Sequence, residues 1–361
     1  MIIFKTYQNY LIKLFLRNLA IITIIFLSLS FILNILEELK FFNDLNMNIY
    51  YPFLFTILNL PSVIFEIFPF IVLISTQMFF MQLFSKDEIT ILKNYGIKNI
   101  DIIKIISFVT FLFGLFLVLG FHFFSSNLKH NYLSFKNNFT NDNKYLAVIN
   151  ENGLWIKDEA NEIVSIINAD KIEKNILKDV SISQLNLNYK PTRTILAEEI
   201  DINKELWVVK NAKIFETEGS NYKVDRLEVL SNFNLEKINN LFSNLTSLNI
   251  FQLKSQYDDY KSLGYSTLEI ESEMNKLLAL PIYLVLMILM GSILMLNVKH
   301  NKSKVFSIVI GILLSVTIYY INYFFNVMGI NERIPIIFSI WFPLLIIFLF
   351  TLSGLIKINE K

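Results

Sequence analysis

The sequence predicts a membrane α+β protein: six transmembrane helices in two groups of three, with a β-domain inserted between the third and fourth. Three observations predict it. The composition is 54% hydrophobic and 17% charged, against roughly 45–50% and 25% in soluble domains. The apolar residues gather at the two ends of the chain. The middle instead alternates short β-branched and aromatic runs with Asn, Asp, Gly and Lys, a pattern of many short strands.

A bilayer core about 30 Å thick needs roughly 20 apolar residues of helix. Residues 19–36 carry no charge, 67–85 carry none and are preceded by an apolar stretch from Tyr50 interrupted by Glu66, and 105–128 carry only His122. After the polar interval come 277–298, 305–331 and 334–356. These runs set domain limits of 1–128, 129–276 and 277–361. The first run follows an amphipathic stretch with Lys5, Lys13 and Arg17 and has no small-residue cleavage signature after it, so it reads as an anchor and not a cleaved signal.

Short loops give the orientation. Lys5, Lys13, Arg17, Lys86, Lys93, Lys98, Lys104, Lys299, Lys302, Lys304, Lys357 and Lys361 fall on one side, Lys40 and Arg333 on the other. Twelve against two places both termini in the cytoplasm and the insert beyond the membrane. Within the insert, strands are expected at 144–149, 153–157, 162–167, 180–187, 192–200, 206–209, 213–217 and 227–230, which suit a sandwich or jelly-roll. Residues 248–275 read as two short helices parted at Gly264. Trp155 and Trp207 read as core residues of the sheet.

Several chemistries are excluded. The net charge of +1 gives no basic field for nucleic acid, and the absence of Cys removes disulfides and thiolate sites. No phosphate-cradling Gly-x-x-x-x-Gly-Lys-Ser/Thr loop occurs. His122, His130 and His300 are the only histidines, and the last falls on the opposite side from the others, so neither a metal site nor a Ser-His triad is expected. No cofactor and no enzymatic activity follow from these residues.

The most informative loop spans 84–100. Ser85 can cap a short helix, Asp87 and Glu88 fall in its first turn, and Gly96 supplies a stop. Two readings share these signals: a plain connector, or an interfacial helix near 85–97 that docks into a cytoplasmic partner through Glu88. Lys40, just past the first span, can snorkel to headgroups or bind an anionic lipid. Glu66 is ionisable within an apolar stretch, so it turns inward, meets water or marks a break. Tyr319, Tyr320, Tyr323, Phe324 and Phe325 form an aromatic belt or, on the sharper reading, line a lipid path.

Together these segments resemble the lipopolysaccharide export permeases of the LptF/LptG family, LptG more closely. The resemblance rests on Leu-Pro-Ser-Val-Ile-Phe-Glu-Ile-Phe-Pro-Phe at 60–70, and on Glu88 and Gly96 at the family's Glu-Leu-x-x-x-x-x-x-Gly-like spacing, with Ile89 for the usual Leu. It continues in Gly-Leu-Trp-Ile-Lys at 153–157, Ile-Val-Ser-Ile-Ile-Asn-Ala at 163–169, Met-Gly-Ile-Asn-Glu-Arg-Ile-Pro at 328–335 and Trp-Phe-Pro at 341–343. It implies a β-jelly-roll in the periplasm and a half-transporter in the inner membrane, paired with an LptF-like permease. An LptB-like ATPase dimer would dock below, with LptC-like and LptA-like bridge proteins beyond. It further implies that Asp87, Glu88, Lys93 and Gly96 belong to the ATPase-coupling helix, and that Glu37, Lys40, Tyr320 and Phe324 contact lipopolysaccharide. Two other basic positions of some LptG chains read Asn34 and Phe41 here. The LptF-like half of the same machine, and a receptor or scaffold with an extracytoplasmic β-domain, are the rival readings.

Overall fold

The structure, a computed structural model, describes residues 6–45, 47–137, 139, 154–160, 163–173, 175–186, 188–217, 219–233, 238, 244–262, 265–297 and 304–359. The strand expected at 144–149, Gly153, the break at Gly264, and Lys5, Lys299, His300, Lys302 and Lys361 lie outside those residues. Two compact units result, residues 1–129 with 268–361, and residues 130–267.

The first unit is helical. Its elements are α1 (Thr6–Asp44), α2 (Tyr50–Ser85), α3 (Glu88–Asn94), α4 (Asn99–Phe116), a π-turn (Leu117–Phe121) that leads directly into α5 (His122–Asn137), whose residues from His130 on belong to the second unit, then α7 (Leu268–Leu296), α8 (Lys304–Ile330) and α9 (Ile336–Asn359). Among the described residues six helical stretches are long and apolar enough to cross a bilayer, with α4, the π-turn and α5 together forming one of them. Helices α1, α4 with α5, and α7 are extended by polar turns past their apolar runs, because the backbone satisfies its own hydrogen bonds most simply by continuing the helix.

Helix α2 runs unbroken through Glu66, Pro61 and Pro69. It packs on α1, α7 and α8, while α7 also meets α4 and α9. Small residues permit the closest approaches. A Cβ on Gly114 of α4 would lie 2.7 Å from the Cα of Pro281 on α7. One on Gly311 of α8 would collide with the amide of Gln77 on α2. That amide instead donates to the Ser307 carbonyl at 2.7 Å.

The described residues of the second unit form strands β1 (Leu154–Ala160), β2 (Ile163–Glu173), β3 (Ile176–Asn186), β4 (Pro191–Asp201), β5 (Leu206–Glu216) and β6 (Asn221–Leu230), followed by α6 (Ile250–Ser262). Among the described residues they form one sheet in the order β1-β2-β3-β4-β5-β6, each antiparallel to the next. The register aligns Ile156, Ile167, Ile182, Ile195 and Ile214 in one row across five strands, and all five are buried. Each such side chain contributes roughly 1.5–3 kcal/mol relative to exposure. Phe233 and Ile238 complete this core, with Tyr260 and Tyr265 packed against it. Burial pushes the Tyr265 phenol above its ordinary pKa.

Four expectations need correction. The strands expected at 206–209 and 213–217 are one strand, β5: Asn211 has φ 53° and drops out of the ladder, yet the register on either side is unchanged. The second of the two short helices expected in 248–275 is not separate, because from Leu268 it continues into α7. Trp207 is fully buried, but Trp155 is 58% exposed. Leu154 and Ile156 on either side of Trp155 take the core face, and the two-residue period sends Trp155 to the other. Ser85 does not cap α3, since its hydroxyl donates back to the Gln82 carbonyl at 2.9 Å.

The Trp207 indole also donates to the Phe233 carbonyl at 2.7 Å. Trp207→Ala is therefore expected to destabilise the sheet by about 3–5 kcal/mol, while Trp155→Ala costs under about 1 kcal/mol. Thermal unfolding of the full chain in detergent, with proteolysis of the insert as the readout, checks the contrast.

Candidate functional site

The loop between α2 and α4 is built from two left-handed residues around one short helix. Asp87 precedes α3 with φ 54°, and Gly96 follows it with φ 79°. At the far end the Gly96 amide donates to the Lys93 carbonyl at 2.9 Å and the Ile97 amide to the Leu92 carbonyl at 3.0 Å. This paired pattern is the Schellman closure, which a glycine at that position permits without strain. The next helix starts cleanly because the Asp101 carboxylate accepts from the Lys98 amide at 3.1 Å. Ile89 is the buried anchor of α3, and Lys93 is exposed in its last turn.

Glu88 is engaged within the chain. The Tyr10 phenol on α1 donates to its carboxylate, 2.8 Å from Oε1 and 2.7 Å from Oε2. Lys86 Nζ lies 3.9 Å from Oε1. Glu88 and Lys93 thus stand on one short helix with Asp87 and Gly96 just beyond its ends, and Tyr10 joins Glu88 from a distance of 78 residues in sequence.

At the other end of α1, Glu37 and Lys40 are exposed about one turn apart. Tyr320 and Phe324 stand about one turn apart on the exposed side of α8, with Tyr319 and Tyr323 also exposed. The two pairs occupy separate helices. Glu66 is exposed on α2 without a break in the helix. Lys129, Glu273 and Lys276 lie within electrostatic reach of it, and the last two pair at 2.6 Å.

A polar relay near this end was not read from the sequence. Lys129 of α5 donates to Asn59 Oδ1 at 2.6 Å, Asn59 donates to Asn34 Oδ1 at 2.8 Å, and Asn34 donates to the Ser30 carbonyl at 2.8 Å. Three helices are tied in one line. Two further polar contacts join helices: Ser272 of α7 with Asn326 of α8, and the Trp341 indole of α9 with Asn275 of α7 at 3.2 Å. The available signal was the presence of Asn and Lys at the margins of apolar runs, where a polar side chain needs a partner. Among the described residues no cluster of His, Asp and Glu is arranged to hold a metal ion.

A family model described as "Lipopolysaccharide export system permease LptF/LptG" matches residues 9–357. The chain belongs to the LptF/LptG family. No curated protein matches the chain. As an LptF/LptG protein it is a multi-pass membrane permease of lipopolysaccharide export, a transport subunit whose membrane helices flank an inserted β unit.

The Asn59 relay gives a measurable coupling. In a double-mutant cycle with Asn59→Ala and Lys129→Met, the interaction is expected at about 0.6 kcal/mol, the average for hydrogen bonds between membrane helices, and below their maximum of about 1.7 kcal/mol. Unfolding of the detergent-solubilised chain checks it, and a coupling indistinguishable from zero contradicts the relay.

Proposed function

We propose that this chain is the LptG-like subunit of an ATP-driven extractor that lifts lipopolysaccharide from the inner membrane. It pairs with an LptF-like permease, sits on an LptB-like ATPase dimer and passes the lipid through LptC-like and LptA-like periplasmic bridge proteins. The carrying observation is the family match over residues 9–357, which takes in both groups of helices and the insert. The excess of Lys and Arg in the loops on one side supports cytoplasmic termini, a cytoplasmic α3 and a periplasmic insert, taken here as a β-jelly-roll.

In this reading Asp87, Glu88, Lys93 and Gly96 form the coupling element seated in the ATPase. Nucleotide-driven motion enters there and narrows the space between the paired permeases. Glu37 and Lys40 meet the charged headgroup, Lys40 supplying a cation for phosphate, while Tyr320 and Phe324 line the acyl path. The β unit extends the route outward. Affinity purification of the tagged chain in mild detergent, followed by mass spectrometry, tests the assembly. Co-purification of a soluble ATPase and a second six-span permease supports it, whereas a folded chain that retains neither refutes it in favour of a receptor or scaffold.

Two substitutions test the assigned residues. Glu88→Ala removes a carboxylate whose charge-assisted bonds are worth about 1.5–3 kcal/mol, so recovery of the ATPase is expected to fall by about tenfold while the chain remains membrane-inserted. Unchanged recovery and export remove Glu88 from the coupling role. Lys40→Asp is expected to lower lipopolysaccharide photo-crosslinking by about threefold to tenfold, since it reverses the charge facing phosphate. Unaltered crosslinking reduces Lys40 to a headgroup anchor.

A further inference from the structure

Helix α3 is short and bounded on each side by a left-handed residue. Asp87 and Gly96, at φ 54° and 79°, are the residues through which the chain turns into and out of it. Burial of Ile89 holds its underside. Its polar tie to another helix is the Tyr10 phenol, 2.8 and 2.7 Å from the two Glu88 oxygens. Tyr10 lies near the start of α1, which runs from Thr6 to Asp44 with neither Gly nor Pro in its sequence. Such a helix lacks proline and glycine, two of the usual causes of a kink. The same rod carries Glu37 and Lys40 near its other end, about 45 Å away at 1.5 Å per residue.

We infer that Tyr10 is a positioning residue for the coupling step: it fixes the Glu88 carboxylate and fastens α3 to α1, so that a displacement imposed on α3 is carried into α1 directly as well as through α2. This rests on the proposed function, because it needs a partner that acts on α3. The hydroxyl makes the tie, donating to the Glu88 carboxylate. Removing only that oxygen therefore separates the tie from the packing of the ring.

The test uses the full chain with its partners in proteoliposomes, with ATP hydrolysis and release of lipopolysaccharide to a periplasmic acceptor measured separately. Tyr10→Phe is expected to lower the lipid released per ATP at least threefold while the yield of assembled complex stays within twofold. An unchanged ratio overturns the inference. Adding Glu88→Gln to Tyr10→Phe is expected to lower the ratio no further than the worse single change, since both act through one contact. Losses that multiply overturn it. Because the chain has no cysteine, Tyr10→Cys with Glu88→Cys gives a clean pair. A short bis-maleimide is expected to bridge it in native membranes. Absence of a bridge shows that the contact is wrong. A wild-type chain that is folded and membrane-inserted but carries no ATPase instead overturns the proposed function, and the coupling inference with it.

Discussion

Lipid tails are as apolar as leucine, so the hydrophobic effect cannot decide which faces of six greasy helices meet. In this bundle close approach and hydrogen bonding decide it. Gly114 admits the backbone at Pro281, and Gly311 leaves room for the Gln77 amide. Asn59 joins α1, α2 and α5, while Asn275 and Ser272 hold α9 and α8 to α7. A buried donor without a partner costs more in hydrocarbon than in water, so each pair also fixes the height at which its two helices align. The faces without such groups, along α1 and α8, remain largely uncovered within the chain.

The β unit obeys a different rule. Its strands bury one face in water-driven fashion, and the isoleucine row sets the register because a one-residue slip would turn every member outward. The sequence pattern revealed strands for this reason, but it over-divided them. The polar pair Lys210 and Asn211 looks like a turn, yet the backbone absorbs Asn211 as a local kink within β5. Trp155 was misplaced by residue type: aromaticity suggested the core, while alternation with Leu154 and Ile156 already put it on the opposite face.

For the helices, stretches free of charge located all six spans, and Pro61 and Pro69 did not interrupt α2 as a short-range reading of Glu66 and Pro69 allowed. In the loop, Glu88 and Gly96 were legible because capping and helix stopping are local. Tyr10 was not, since nothing within 78 residues links it to Glu88. Lys129 and Asn59 escaped for the same reason: each is a plain polar residue until its partner on another helix is known. Local chemistry can be read along a chain, whereas pairings across the bundle depend on how its helices are arranged.

The order of the sheet bears on how the molecule is made. Every described strand pairs with its neighbour in sequence, so the sheet can grow hairpin by hairpin from local contacts, the kind that fold quickly. The bundle cannot, because α2 must find α7 across the whole insert. An unfolded loop of residues 130–267 would cost roughly 4 kcal/mol to close by the (3/2)RT ln n rule. A sheet that has already folded shortens that loop, so early completion of the insert would ease the later union of the two helical halves.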